Sequence, residues 1–109
     1  FVTALALFDT LAYVIKAPKL LSFKWPNDVL MEDKKVAGIL LESFGSGKVI
    51  DFLFIGVGVN LVPLPDGIEP SFGSVLLPVS LSDFDFKIDP EDFLVYLAAN
   101  FDYWEKQLS

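Results

Sequence analysis

The groups in this sequence able to do chemistry are few, and they sit inside stretches otherwise built of core-strand residues. They are Lys24-Trp25-Pro26-Asn27-Asp28, then Lys35 at the head of Lys35-Val36-Ala37-Gly38-Ile39-Leu40-Leu41-Glu42, then Gly56 and Gly58 with Asn60 just beyond. Charges and amides are costly to bury without partners, so their placement in an apolar span marks a candidate site. An asparagine can donate and accept at once, reading a base edge or fixing a loop; an aspartate can hold magnesium or anchor a lysine. Each has a purely structural alternative. The pentapeptide also suits a turn with a packed tryptophan and an Asx cap, and Lys35 also suits a solvated turn lysine beside Lys34. As a functional group, a lysine at a strand mouth binds carboxylate or phosphate as a mobile point charge.

Two better-known patterns fail on inspection. Gly45-Ser46-Gly47-Lys48 lacks the earlier glycine of a phosphate loop, and Val49 stands where a magnesium-binding hydroxyl belongs, so a hairpin turn is expected there. Gly56-Val57-Gly58-Val59-Asn60-Leu61 lacks the third glycine of the dinucleotide fingerprint and does not lie between a strand and a helix.

The elements that must position these groups follow from hydrophobic period. Leu5, Phe8, Leu11, Ala12 and Ile15 recur at helical spacing, with Asp9 and Lys16 off the stripe, which predicts an amphipathic helix ending before Pro18. Residues 20–31 read as a strand entering a bend at Pro26, with Phe23 and Trp25 on one face. A polar turn at Glu32-Asp33-Lys34, a strand over 35–44, a turn at 45–47 and a strand over 48–61 complete an antiparallel meander. Alternation puts Phe52, Phe54, Gly56, Gly58 and Asn60 on one face of the last strand, and Lys35 with Ala37, Ile39 and Leu41 on one face of the strand before it. Interior glycines mark where a ligand or backbone must come close. Residues 62–85 carry four prolines and suit a long loop with a short strand at 74–77. Asp89-Pro90-Glu91-Asp92 opens a closing helix with Phe93, Leu94, Leu97, Phe101, Trp104 and Leu108 as its apolar stripe.

Composition narrows the function classes. The 109 residues carry a net charge of −7, and the eight cations, all lysines, form no cluster larger than Lys34-Lys35, which argues against a nucleic-acid partner. Without Cys or His, disulfides, zinc sites, thiol nucleophiles and Ser-His triads are excluded within these residues. Residues 52–65 form the longest uncharged run and are too short and too interrupted for a membrane helix, so no membrane role is expected. The absence of Cys fits a cytoplasmic protein. Hydrophobic residues make up 53%, a surplus that reads as surface meant to be covered by another segment or subunit.

Taken in order and spacing, Lys24-Trp25-Pro26-Asn27-Asp28-Val29, Lys35-Val36-Ala37-Gly38-Ile39-Leu40-Leu41-Glu42 and Ile55-Gly56-Val57-Gly58-Val59-Asn60 resemble three consecutive central motifs of the biotin–protein ligases, over residues 2–61. The resemblance implies an α+β, class II synthetase-like catalytic domain with an antiparallel meander in a mixed sheet flanked by helices. It implies an ATP-dependent ligase that makes biotinyl-5′-AMP from biotin and ATP with Mg2+ and passes biotin to a lysine of a biotin carboxyl carrier protein. The alternatives are a lipoate or octanoate ligase or transferase of the same fold, and a non-catalytic ligand-binding homologue.

By the same resemblance Lys35 is the catalytic residue, touching the biotin carboxylate and the adenylate phosphate. Gly56 and Gly58 line the biotin pocket, and Asn27 and Asp28 stand on the nucleotide side, with Asp28 a magnesium ligand. Lys24, Trp25 and Asn60 support the site without touching ligand. A homodimer is compatible with it. The family's Gly- and Arg-rich adenylate loop and its small C-terminal barrel have no counterpart here, so residues 1–109 are expected to form part of a catalytic domain, inactive alone.

Overall fold

The computed structural model describes residues 1–45, 47, 49, 52–63 and 77–108. A helix, α1 (Val2–Ile15), leads through one 3-10 turn (Pro18–Leu20) into four strands, β1 (Leu21–Lys24), β2 (Asp28–Met31), β3 (Lys34–Phe44) and β4 (Phe52–Val59). A second 3-10 turn (Leu81–Phe84) and a long helix, α2 (Pro90–Leu108), follow. The strands form one antiparallel sheet in the order β1-β2-β3-β4. Its parallel component among the described residues is a single bridge between Lys35 and Pro78. Of the sequence expectations, the turn at 45–47, the strand start at 48–51 and the strand at 74–77 fall wholly or partly outside the described residues.

The helix α1 stops where Lys16 turns left-handed, its N–H donating to the Ala12 carbonyl, two residues before Pro18. Its buried side differs from the expected stripe. Thr3, Ala6, Leu7, Thr10, Leu11 and Ile15 are buried, whereas Leu5, Phe8 and Ala12 are only partly covered. The cause is α2, which packs alongside α1 through polar as well as apolar contacts. Trp104 Nε1 donates to Asp9 at 2.7 Å, and Asn100 donates to the Thr10 hydroxyl, which itself donates to Ala6 O. Asp9 is therefore an inter-helix acceptor and not a solvated residue. Tyr13 and Tyr96 lie with ring centroids 4.8 Å apart and tilted by 50° in the same interface, and the hydrogen bond between the two phenols, followed by the charge of Tyr13, raises the Tyr96 phenol above its ordinary pKa.

One face of the sheet is the core. Leu21, Val29, Met31, Ala37 and Ile39 meet Leu7, Leu11 and Ile15 of α1, and Val79, Leu81 and Phe93 close the cluster. Burying side chains of this size removes them from water at roughly 1.5–3 kcal/mol each. The opposite face is open: Leu40 is 62% exposed, and Phe44 and Phe54 meet edge to face at 5.5 Å without being buried.

Residues 20–31, expected as one strand entering a bend at Pro26, are two strands joined at that bend. The turn Trp25-Pro26-Asn27, with a cis Trp25–Pro26 peptide, folds β1 back on β2 so that Leu21 pairs with Met31 and Lys24 with Asp28. Glu32 and Asp33 then take φ of 51° and 66° to close the next hairpin. Positive φ at both central residues is what a two-residue hairpin needs to match strand twist, here without the usual Asn-Gly.

Candidate active site

The open face carries a row of residues running across all four strands, three of them, Lys24, Asp28 and Gly58, expected at the site. Lys24 pairs with Asp28, Asp28 with Gly38, and Gly38 with Gly58, so these four positions share one face in adjacent strands. One step along, Leu40 pairs with Gly56. The two β4 glycines leave the floor bare: a Cβ on Gly58 would meet nothing within 4 Å, and one on Gly56 would only touch Leu40 at 3.7 Å.

Lys35 reaches this face by a departure from strand alternation. Simple alternation puts it with Ala37, Ile39 and Leu41 against α1, and that expectation is incorrect. The register between β2 and β3 shifts, with Val29 opposite Ala37 but Leu30 opposite Lys35, so β3 holds an extra residue at Val36. Val36 and Ala37 are consequently both buried, and the Lys35 side chain emerges on the glycine face. Its Cε and Nζ lie 3.0 and 3.2 Å from where a Gly38 Cβ would be, and Nζ pairs with Asp28 Oδ1 at 3.2 Å. Both side chains are 28% exposed, which leaves the ammonium accessible to an incoming anion while its stem is held.

The main chain at the bulge is fixed from the side. Lys35 N donates to Leu77 O, and Lys35 O accepts from Val79 N, each at 2.9 Å. Asn60, the first residue after β4, donates from Nδ2 to Lys35 O at 3.3 Å and to Val79 O at 3.2 Å, while its own N–H donates to Val36 O. The 77–80 segment is held in turn by a capping box, with Ser80 Oγ accepting from Asp83 N and Asp83 Oδ2 from Ser80 N. The signature Ser80-x-x-Asp83 stands in the sequence and locates this turn.

Two predicted residues lie elsewhere. Asn27 and Trp25, with Phe23 and Pro26, line a cavity of about 510 Å³ on the α1 side of the sheet, together with Phe1, Thr3, Ala4, Leu5, Phe8, Ile39 and Leu41. Trp25 is 80% exposed there and is not packed into the turn. Asn27 does serve the sheet through its carbonyl, which accepts from Ile39 N at 2.9 Å.

Chemically, the open face offers a paired but accessible cation above a floor without side chains, which suits a flat ligand ending in a carboxylate or phosphate. For magnesium, Asp28 fits as one carboxylate ligand. No group of three or more acidic, His or Cys side chains able to hold an ion occurs among the described residues, so phosphate oxygens and water would supply the remaining ligands. No helix among the described residues is long and apolar enough to cross a membrane.

Known proteins resemble the chain in sequence and in fold. The model of the biotin/lipoate A/B protein ligase family matches residues 2–60. Over 99% of its length the chain is 46% identical to the biotin--[acetyl-CoA-carboxylase] ligase of Paracoccus denitrificans, of which it covers 45%. Among solved structures, biotin protein ligase from Aquifex aeolicus in complex with biotin and ATP superposes with a TM-score of 0.73 at 26% identity, over 97% of this chain and 41% of that one. The Leishmania major biotin protein ligase in complex with biotinyl-5-AMP gives 0.67 at 25% identity, over 96% of this chain and 46% of that one. The chain thus spans less than half the length of these relatives.

Proposed function

The chain belongs to the biotin/lipoate A/B protein ligase family, and from that premise we propose that it forms the central part of a ligase catalytic domain that activates biotin and attaches it to a carrier protein. In the first step a biotin carboxylate oxygen attacks the α-phosphorus of ATP, and the bond to the β-phosphate oxygen breaks, releasing pyrophosphate. In the second, the neutral amine of a carrier lysine attacks the acyl carbon of biotinyl-5′-AMP. An amide forms, AMP leaves, and the amine loses its proton. The carrier is a biotin carboxyl carrier protein, a reading supported by the name of the Paracoccus denitrificans relative.

The observation that carries this reading is Lys35 laid across Gly38 above the glycine floor, tethered to Asp28 at 3.2 Å. Negative charge builds on the α-phosphoryl oxygens during the displacement, and a cation already in place stabilises it without reorganising. Gly56 and Gly58 leave room for the biotin rings. Asp28 keeps Lys35 over the floor before any anion arrives and is the carboxylate suited to the magnesium that accompanies ATP. That ion supplies neutralisation of phosphate charge when bound. Lys24 flanks Asp28 in the same row, and Asn27, whose carbonyl accepts from Ile39 N, holds the turn from which Asp28 starts.

Radiolabelled ATP offered with biotin or with lipoate, in the intact protein, tests the assignment. Adenylate is expected with biotin, and Lys35→Ala should lower its formation by about 10²- to 10³-fold. Preference for lipoate would move the protein to the other branch of its family. Unchanged adenylation in Lys35→Ala would remove the role given to this lysine.

A further inference from the structure

We infer that Asn60 is a positioning residue for Lys35: its side-chain amide clamps the bulged main chain that turns the lysine onto the ligand face. The inference rests on the role proposed for Lys35 and adds the device that aims it. A regular β3 would send the Lys35 side chain into the core beside Ala37, so the extra residue at Val36 decides where the cation points. A bulge interrupts the ladder, and its main-chain groups need partners from outside the regular pairing.

Those partners converge on Asn60. Beyond the end of β4 at Val59, the 77–79 segment runs parallel to β3 for one bridge, giving Lys35 N an acceptor in Leu77 O and Lys35 O a donor in Val79 N. Asn60 joins the two chains there. One nitrogen, carrying two N–H donors, spans Lys35 O at 3.3 Å and Val79 O at 3.2 Å. Its main chain is fixed on both sides, by Asn60 N to Val36 O and by Leu81 N to Asn60 O. The side chain therefore cannot drift without moving β3, β4 and the 77–81 segment together. No other common side chain offers two donors on one atom at so short a reach without a charge; aspartate has the shape but would face two carbonyl oxygens with a negative group.

The test is a double-mutant cycle in the intact protein. Asn60→Ala and Asn60→Asp are made alone and with Lys35→Ala, and single-turnover adenylate formation is read per folded molecule, with the KM for biotin beside it. Each Asn60 variant is expected to slow adenylation by about 10- to 100-fold, the cost of misplacing a catalytic group by about 1 Å, with KM changed by less than about threefold. In the Lys35→Ala background the same change should cost less than about threefold, because the residue it aims is gone. Should Asn60→Ala fail to fold, Asn60→Ser, which keeps one donor, carries the same cycle. A full-sized loss persisting in the Lys35→Ala background overturns the clamp, and so does a normal rate in Asn60→Ala beside a slow Lys35→Ala. A normal rate in Lys35→Ala overturns the role of the lysine and the clamp with it.

Discussion

Replacing Gly38 by alanine should separate activity from stability. The new Cβ would stand 3.0 Å from Lys35 Cε, 3.2 Å from Nζ and 3.4 Å from Asp28 Oδ1, and no backbone atom is among these neighbours. Carbon atoms prefer about 3.5–4.0 Å, so the lysine tip must give by a few tenths of an ångström, which a flexible four-carbon stem does at little cost. The fold meanwhile gains about 0.4–1 kcal/mol because alanine has less freedom than glycine in the unfolded chain. Net stability should change by under about 1 kcal/mol. For catalysis, moving a unit charge from about 4 to about 4.5 Å from the phosphoryl oxygens at an effective dielectric constant of about 20 weakens the attraction by about 0.5 kcal/mol, or about twofold in rate. Misalignment can raise this to about 100-fold. Pyrophosphate release in single-turnover mixing, paired with urea unfolding of the same variant, reads both quantities. A wild-type rate in Gly38→Ala would mean that the path of Lys35 over Gly38 is not the one used in the reaction. A loss of stability above about 2 kcal/mol would mean that the site is packed more rigidly than described.

Three further variants probe the floor and the frame. Gly58→Ala meets open space and Gly56→Ala only ordinary contact with Leu40, so both should leave the unfolding midpoint unchanged while raising the KM for biotin, by about tenfold or more for Gly58; equal KM values would show that the rings do not lie over β4. Glu32→Asn with Asp33→Gly, at the two positive-φ positions of the β2–β3 turn, should add about 1–2 kcal/mol to stability with adenylation unaffected; denaturant unfolding that shows no gain would contradict the turn geometry.

Much of the frame was legible because period and punctuation agreed. Apolar spacing and Pro18 bound the first helix to Val2–Ile15, and Asp89-Pro90 opened the last one, which begins at Pro90. Where they disagreed, the reading blurred. Residues 20–31 alternate well enough to pass for one strand, yet Pro26-Asn27 at their centre is a turn signal, and the chain obeys it by making two strands of four residues. The packed side of α1 is wider than the expected stripe for a different reason. Thr10 and Asp9 look solvated by type, and only the arrival of Asn100 and Trp104 from 90 and 95 residues away makes them interior partners. Polar contacts at that separation leave no trace in local hydrophobicity.

The site shows the same limit at its most consequential residue. Three members of the Lys24–Asp28–Gly38–Gly58 row, Lys24, Asp28 and Gly58, could be named from the sequence as odd residue types for a strand, whereas the part of Gly38 beneath Lys35 shows only in the structure. The face of Lys35 could not be named either, since alternation has only two answers and a single inserted residue exchanges them. What decides between the answers lies elsewhere in the chain, in Asn60 and in the 77–81 segment, whose Ser80–Asp83 box fixes where Val79 can donate. The lysine's identity is local, but its direction is tertiary. A single extra residue at Val36 suffices to turn a position that alternation aims at the core toward the glycine face, where the Asn60 amide at the end of the neighbouring strand donates to its carbonyl.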